Sequence, residues 1–134
     1  MQDYIGTKLV SAEPQSINGK EGYKVVYPDG YESWSPANVF EDAYRPTNGM
    51  NFGLAVEAMK LGLTVCRAGW KNKKLYCLMS KELAGVPRYE TNSKENQTLP
   101  CPCFVMHEKI DNRADITVYK ATQTDMLADD WRFA

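Results

Sequence analysis

A chain of 134 residues has room for one ordinary domain, or for one small domain with an appendage. Its 43% hydrophobic and 25% charged residues are those of a globular chain and exclude a disordered one. The net charge of −1 argues against a general binder of DNA or RNA, and no apolar run of about 18 residues is present to span a membrane.

The charge is unevenly spread. Residues 1–48 carry four Lys/Arg and seven Asp/Glu, whereas residues 49–134 carry twelve and ten. The second part is the better place to look for the site of an anionic ligand. No basic start followed by an apolar stretch opens the chain, so no secretory leader is expected. A cytoplasmic setting with reduced cysteines follows.

Residues 1–48 read as a small β-rich module of unknown role. Tyr4 to Val10 mixes β-forming residues with polar ones. Tyr23-Lys24-Val25-Val26-Tyr27 predicts a strand, Pro28-Asp29-Gly30 a turn and Tyr31–Trp34 the returning strand. Ser35-Pro36 has the form of an N-cap followed by proline at the first helical position, with Val39, Phe40 and Ala43 facing inward on a short helix. Arg45-Pro46-Thr47-Asn48-Gly49 reads as a linker.

The second part, residues 49–134, predicts one helix packed across a four- or five-stranded antiparallel sheet, an α+β domain. Asn51 is a candidate N-cap for a helix over Phe52–Leu61. Phe52, Ala55, Val56 and Met59 fall on one face of it, and Gly62 stops it. Strands are predicted at Leu63–Ala68, Lys74–Ser80, Pro102–Glu108 and Asp115–Lys120, with a further one at Trp131–Ala134. Thr124 is a candidate cap for a short helix reaching Asp130. The stretch Lys81–Pro100 is polar and irregular, and a loop of such length is often functional.

The densest chemistry lies in Val65-Cys66-Arg67-Ala68-Gly69-Trp70-Lys71-Asn72. No acid occurs between Ala58 and Lys81, while Lys60, Arg67, Lys71, Lys73, Lys74 and Lys81 all do. A flat ring beside cations and an amide suits a nucleotide: stacking a base contributes roughly 1–3 kcal/mol, and cations add an attraction that weakens with salt. The plainer alternative is a hairpin Trp packed on the core with a solvated rim of lysines. Thr122, Gln123, Thr124 and Asp125 offer hydroxyl, amide and carboxylate groups on a turn, suited to ribose hydroxyls and base edges, or serve as an ordinary helix cap. Asp125, Asp129 and Asp130 could hold a divalent ion, but such groups more often form a solvated face. His107 is the only histidine, which leaves no His-based triad. Cys66, Cys77, Cys101 and Cys103 lack a C-x-x-C pair and read as small buried hydrophobes, not a metal site. No phosphate-binding glycine motif occurs, and neither metal nor cofactor is expected.

The segment Met50-Asn51-Phe52-Gly53-Leu54-Ala55-Val56-Glu57-Ala58-Met59-Lys60, then Gly62, then Arg67-Ala68-Gly69-Trp70-Lys71-Asn72, resembles the start of a phage-encoded family, the second type of Thoeris anti-defence protein. Ala121-Thr122-Gln123-Thr124-Asp125-Met126-Leu127-Ala128-Asp129-Asp130-Trp131 resembles its close. The resemblance implies a sponge, a protein that binds a cyclic ADP-ribose immune signal without cleaving it, with cyclic oligonucleotides as a second ligand class to test. It also implies a homo-oligomer, a tetramer, with sites between subunits. In the family a Trp precedes the closing segment; here Tyr119-Lys120 stands there, and the polar insertion Glu82–Thr98 is a second departure.

A sponge requires nanomolar affinity, about −12 kcal/mol, hence a pocket that buries most of the ligand, which so small a body gains most easily between subunits. The residues expected at the ligand are Arg67, Trp70, Lys71, Asn72, Met106, Tyr119, Thr122, Gln123, Thr124 and Asp125. Trp70 would stack on the base and Asn72 orient the ligand. Arg67 and Lys71 would neutralise phosphate, and Thr122, Thr124 and Asp125 would read sugar or base. No catalytic residue is expected. An enzyme that degrades a nucleotide signal, or a direct protein inhibitor of a host defence component, are the alternatives.

Overall fold

A hairpin turn sets the geometry of the first part of the chain. In the computed structural model, which describes residues 1–78 and 102–134, Asn18 and Gly19 both have positive φ (53° and 77°), as a two-residue turn between twisted strands requires. Ile17 and Lys20 pair across this turn. It therefore fixes the register of β1 (Ser11–Pro14) on β2 (Gly22–Val26), with Pro14 opposite Tyr23. Tyr4–Val10, the β-forming stretch in the sequence, is in no strand; the strand starts where the Asn-Gly turn places it. β2 pairs in turn with β3 (Glu32–Pro36), giving a three-stranded antiparallel sheet.

Ser35 does not cap the helix that follows, because it is paired with Tyr23 inside β3. Pro36 is the extended N-cap of α1 (Ala37–Ala43), without a side-chain cap bond, and the Ala37 amide donates to the Glu21 carbonyl instead. Of Val39, Phe40 and Ala43, only Phe40 is shielded: its ring stacks on Tyr23 at 4.4 Å and on Tyr44 at 4.8 Å. Gly22 is required where it stands, since an added Cβ would lie 2.4 Å from both the Trp34 ring and the Ser35 carbonyl.

Residues Met1–Pro46 form one compact unit and Thr47–Ala134 a second. The second unit is a five-stranded antiparallel sheet with one helix, α2 (Phe52–Lys60), packed on it. The Asn51 side chain accepts from the Leu54 amide at 2.9 Å and caps α2 as its sequence position predicts. At the other end Gly62 adopts φ 86°, its amide donates to Met59 and that of Leu63 to Ala58, the paired bonds of a Schellman stop.

The sheet runs β7-β6-β5-β4-β8: β4 is Val65–Arg67, β5 Lys73–Leu78, β6 Cys103–Ile110, β7 Arg113–Val118 and β8 Trp131–Phe133. Side chains alternate along each strand, so one face presents Val65, Leu75 and Trp131 to Ala55, Ala58 and Met59 of α2, all buried. Phe52 and Val56, predicted inward, pack on the margin of that core. The opposite face buries Leu78, Val105 and Ile116. Met50 exchanges both main-chain hydrogen bonds with Trp131 and so covers the outer edge of β8.

The final helix differs from its prediction. α3 spans only Gln123–Met126, and its cap is Thr122, not Thr124. Thr122 and Asp125 form a reciprocal capping box, and the chain leaves the helix before Asp130. The polar stretch Lys81–Pro100, the end of the strand predicted to reach Ser80, and Cys101 lie outside the described residues.

Candidate functional site

The site grows from one alternation. Val65 faces α2, so Arg67, two residues on, faces the same side at the end of β4, directly opposite Trp131. A charged group there needs partners, and it finds two. Its Nε donates to Asp130 Oδ1 at 2.7 Å and its Nη2 to Asp130 Oδ2 at 3.3 Å, a bidentate clamp. Its Nη1 donates to Asp125 Oδ1 at 3.1 Å. The second Asp125 oxygen accepts from the Tyr119 hydroxyl at 2.8 Å and, more weakly, from the Thr122 amide at 3.5 Å. The Trp131 indole N–H donates to the main-chain oxygen of Asp125 at 3.0 Å.

These contacts set the protonation states. Burial pushes the Asp125 carboxyl up, but the donors Tyr119, Arg67 and Thr122 outweigh it and hold its pKa below the ordinary value. The Arg67 hydrogen bonds hold Asp130 low as well. Burial, together with the Asp125 carboxylate, raises the Tyr119 phenol, so it remains a donor.

Next to the clamp lies an aromatic wall. The Trp70 amide closes a turn on the Arg67 carbonyl at 3.0 Å, and the Trp70 ring meets Trp131 edge-on, with centroids 5.5 Å apart. Phe52 lies 5.6 Å from Trp131 on another side. Trp70 is half-buried: it packs on the core and keeps part of its ring in solvent. The two readings of the sequence thus meet in one residue.

Of the residues singled out in the sequence, Arg67, Tyr119, Thr122 and Asp125 are joined in one hydrogen-bonded network, and Trp70 adjoins it through Trp131. Met106 packs half-buried against the same core, paired with Leu75 and Thr117. Lys71 and Asn72 are exposed on the turn beyond Trp70, where the Asn72 carbonyl accepts from the Lys109 amide. Gln123 and Thr124 are exposed on α3. The acid-free stretch is less cationic in space than in sequence. Lys60 pairs with Glu57, Arg67 with Asp125 and Asp130, and Lys73 with Glu108. Among the described residues Lys71 and Lys74 make no ion pair.

Sequence reasoning missed the pairing of Asp130 with Arg67 and the central place of Trp131. The signal was present in the alternation that turns Arg67 inward, which demands an acid from elsewhere in the chain. Asp125, Asp129 and Asp130 do not gather as metal ligands: among the described residues no group of three or more His, Cys, Asp or Glu could hold an ion.

The family described as the Thoeris anti-defense 2-like domain matches residues 50–134. The chain belongs to that family. A relative, Thoeris anti-defense 2 of Bacillus phage SP01, is 31% identical over 83 residues, which are 61% of this chain and 91% of the relative. The Thoeris anti-defense 2-like region includes α2, the whole five-stranded sheet, the Arg67 clamp and the Trp70 turn. The three-stranded sheet and α1 lie outside it.

Proposed function

We propose that this protein is a phage anti-defence factor that binds a cyclic nucleotide immune signal, a cyclic ADP-ribose isomer, and sequesters it without cleaving it. The observation that carries the reading is family membership over residues 50–134, in which a partly buried Trp70 stands beside a preformed polar network. An aromatic face with polar groups at its margin supports stacking of a base and recognition of the attached sugar. Tyr119-Lys120 lies in the neighbourhood where the family usually carries a Trp, and Tyr119 presents its hydroxyl to Asp125; a changed stacking surface or ligand preference is part of this reading.

The second unit is the ligand-binding domain in this reading, and the protein acts in the cytoplasm of the infected cell. No helix among the described residues is long and apolar enough to cross a membrane. The wall at Trp70 covers one side of a ligand only. Nanomolar sequestration needs more burial than that, so a second copy of the chain supplies the remainder in a homo-oligomer, with a tetramer as the proposed state.

The test is a release assay. Purified protein is incubated with cyclic ADP-ribose isomers, separated from free ligand and heated. Intact ligand in the supernatant supports sequestration. Chemically altered ligand would instead make the protein an enzyme. No retained ligand, together with a host protein bound in its place, would make it a direct inhibitor.

A further inference from the structure

Arg67 has a different set of partners from the one its sequence context suggests. All three guanidinium nitrogens already donate within the chain, two to Asp130 and one to Asp125. One guanidinium between two carboxylates gives the Arg67–Asp125–Asp130 trio one excess negative charge at neutral pH, with the Arg132 guanidinium at its margin on the Ala68 carbonyl. Like charges repel, so this end of the site is a poor neighbour for a phosphate. It is a good neighbour for donors. Asp130 has 41% of its side chain in solvent, against 13% for Asp125 and 20% for Arg67, and each of its oxygens can accept a further hydrogen bond.

The clamp also holds the aromatic wall. The Ala68 amide donates to the Asp130 main-chain oxygen at 3.2 Å, and Arg132 donates to the Ala68 carbonyl at 2.8 Å. Arg67 itself supplies the carbonyl that closes the Trp70 turn. The end of β4 and the approach to β8 are therefore fastened together next to the Trp70–Trp131 contact. Beyond Trp70 the charge changes sign, with Lys71 exposed and making no ion pair among the described residues.

We propose that Asp130, held in place by Arg67, contacts the ligand in the nucleotide site and accepts from its hydroxyl and amino groups, while the ligand's phosphates lie toward Lys71. The inference rests on the sequestration reading above and fixes which end of the ligand meets which end of the site.

Calorimetric titration with cyclic ADP-ribose isomers over a series of salt concentrations tests it. Each isomer that binds is compared with an analogue lacking one free ribose hydroxyl. Asp130→Asn is the main variant, because Arg67→Gln would leave two carboxylates without their cation and endanger the fold. Asp130→Asn is expected to weaken binding about tenfold, the size of one lost hydrogen bond to a charged group. It is also expected to narrow the preference for the ligand over its deoxy analogue. Were Arg67 a phosphate ligand, the same substitution would free its guanidinium, tighten binding and steepen the salt dependence; that result overturns the proposal. An equal loss for ligand and analogue, the mark of a merely structural clamp, overturns it too. Lys71→Gln, on the exposed turn, is expected to flatten the salt dependence, and an unchanged salt dependence contradicts the orientation. If the wild-type protein binds no isomer, the sequestration reading itself fails and this inference falls with it. If the wild type binds and Asp130→Asn tightens the complex, the inference alone fails.

Discussion

At the scale of single residues, Trp70 and Asp125 each serve both fold and site. Trp70 presents part of its ring to solvent while its other side rests on Trp131. Trp70→Ala is expected to cost about 1–3 kcal/mol of ligand binding, the range for a lost base-stacking ring, and to lower the melting temperature as well. Calorimetry with unchanged affinity would contradict the stacking assignment. Asp125 is buried with both carboxylate oxygens accepting. Asp125→Ala leaves the part-buried Tyr119 hydroxyl and one Arg67 donor without their acceptor, which costs roughly 1–3 kcal/mol in all, since water reaches both groups in part. Urea unfolding should show a lower midpoint at unchanged slope; a midpoint equal to the wild type's would show that water replaces the carboxylate without loss.

At the scale of elements, short pieces are held by their ends. α2 has only nine residues, too few for a helix to persist by propensity alone, so its caps and its buried face decide its stability. Asn51→Ala removes the bond to the Leu54 amide and is expected to cost about 1 kcal/mol, read as a lower melting temperature of the second unit. In the first unit, Gly22→Ala would drive a methyl group into the Trp34 ring and the Ser35 carbonyl. Nothing in that crossing can yield without parting β2 from β3, so loss of the cooperative melt of residues 1–46 is expected, while binding by the second unit persists. Near-UV circular dichroism, together with calorimetry, separates the two effects.

At the scale of the whole molecule, the clamp links stability to pH. Asp125 and Asp130 both titrate below their ordinary value in the folded protein, whereas an unfolded Asp titrates near about 3.9. A lowered folded-state value gives stability that is fully present above the unfolded value and is lost as pH falls through the folded one. The melting temperature should therefore drop below about pH 4, and Asp130→Asn should drop less steeply over the same window. A variant whose acid profile overlays that of the wild type would remove Asp130 from this account.

Much of the fold was legible in the sequence, for local reasons. Asn51 and Gly62 bracket α2 because capping chemistry is written in adjacent residues. Strands β2, β5, β6 and β7 announce themselves by runs of β-branched and aromatic residues, and the family resemblance rests on contiguous segments. The Asn18-Gly19 turn and the Thr122–Asp125 capping box were equally local signals, and reading them would have placed β1 and α3 correctly. What the sequence could not decide is who faces whom. Arg67 and Asp130 are 63 residues apart, and their meeting depends on β8 pairing with β4, a non-local register that no window of sequence contains. A linear count makes the stretch around Arg67 cationic; only the tertiary pairing brings two carboxylates to Arg67 and engages its guanidinium within the chain.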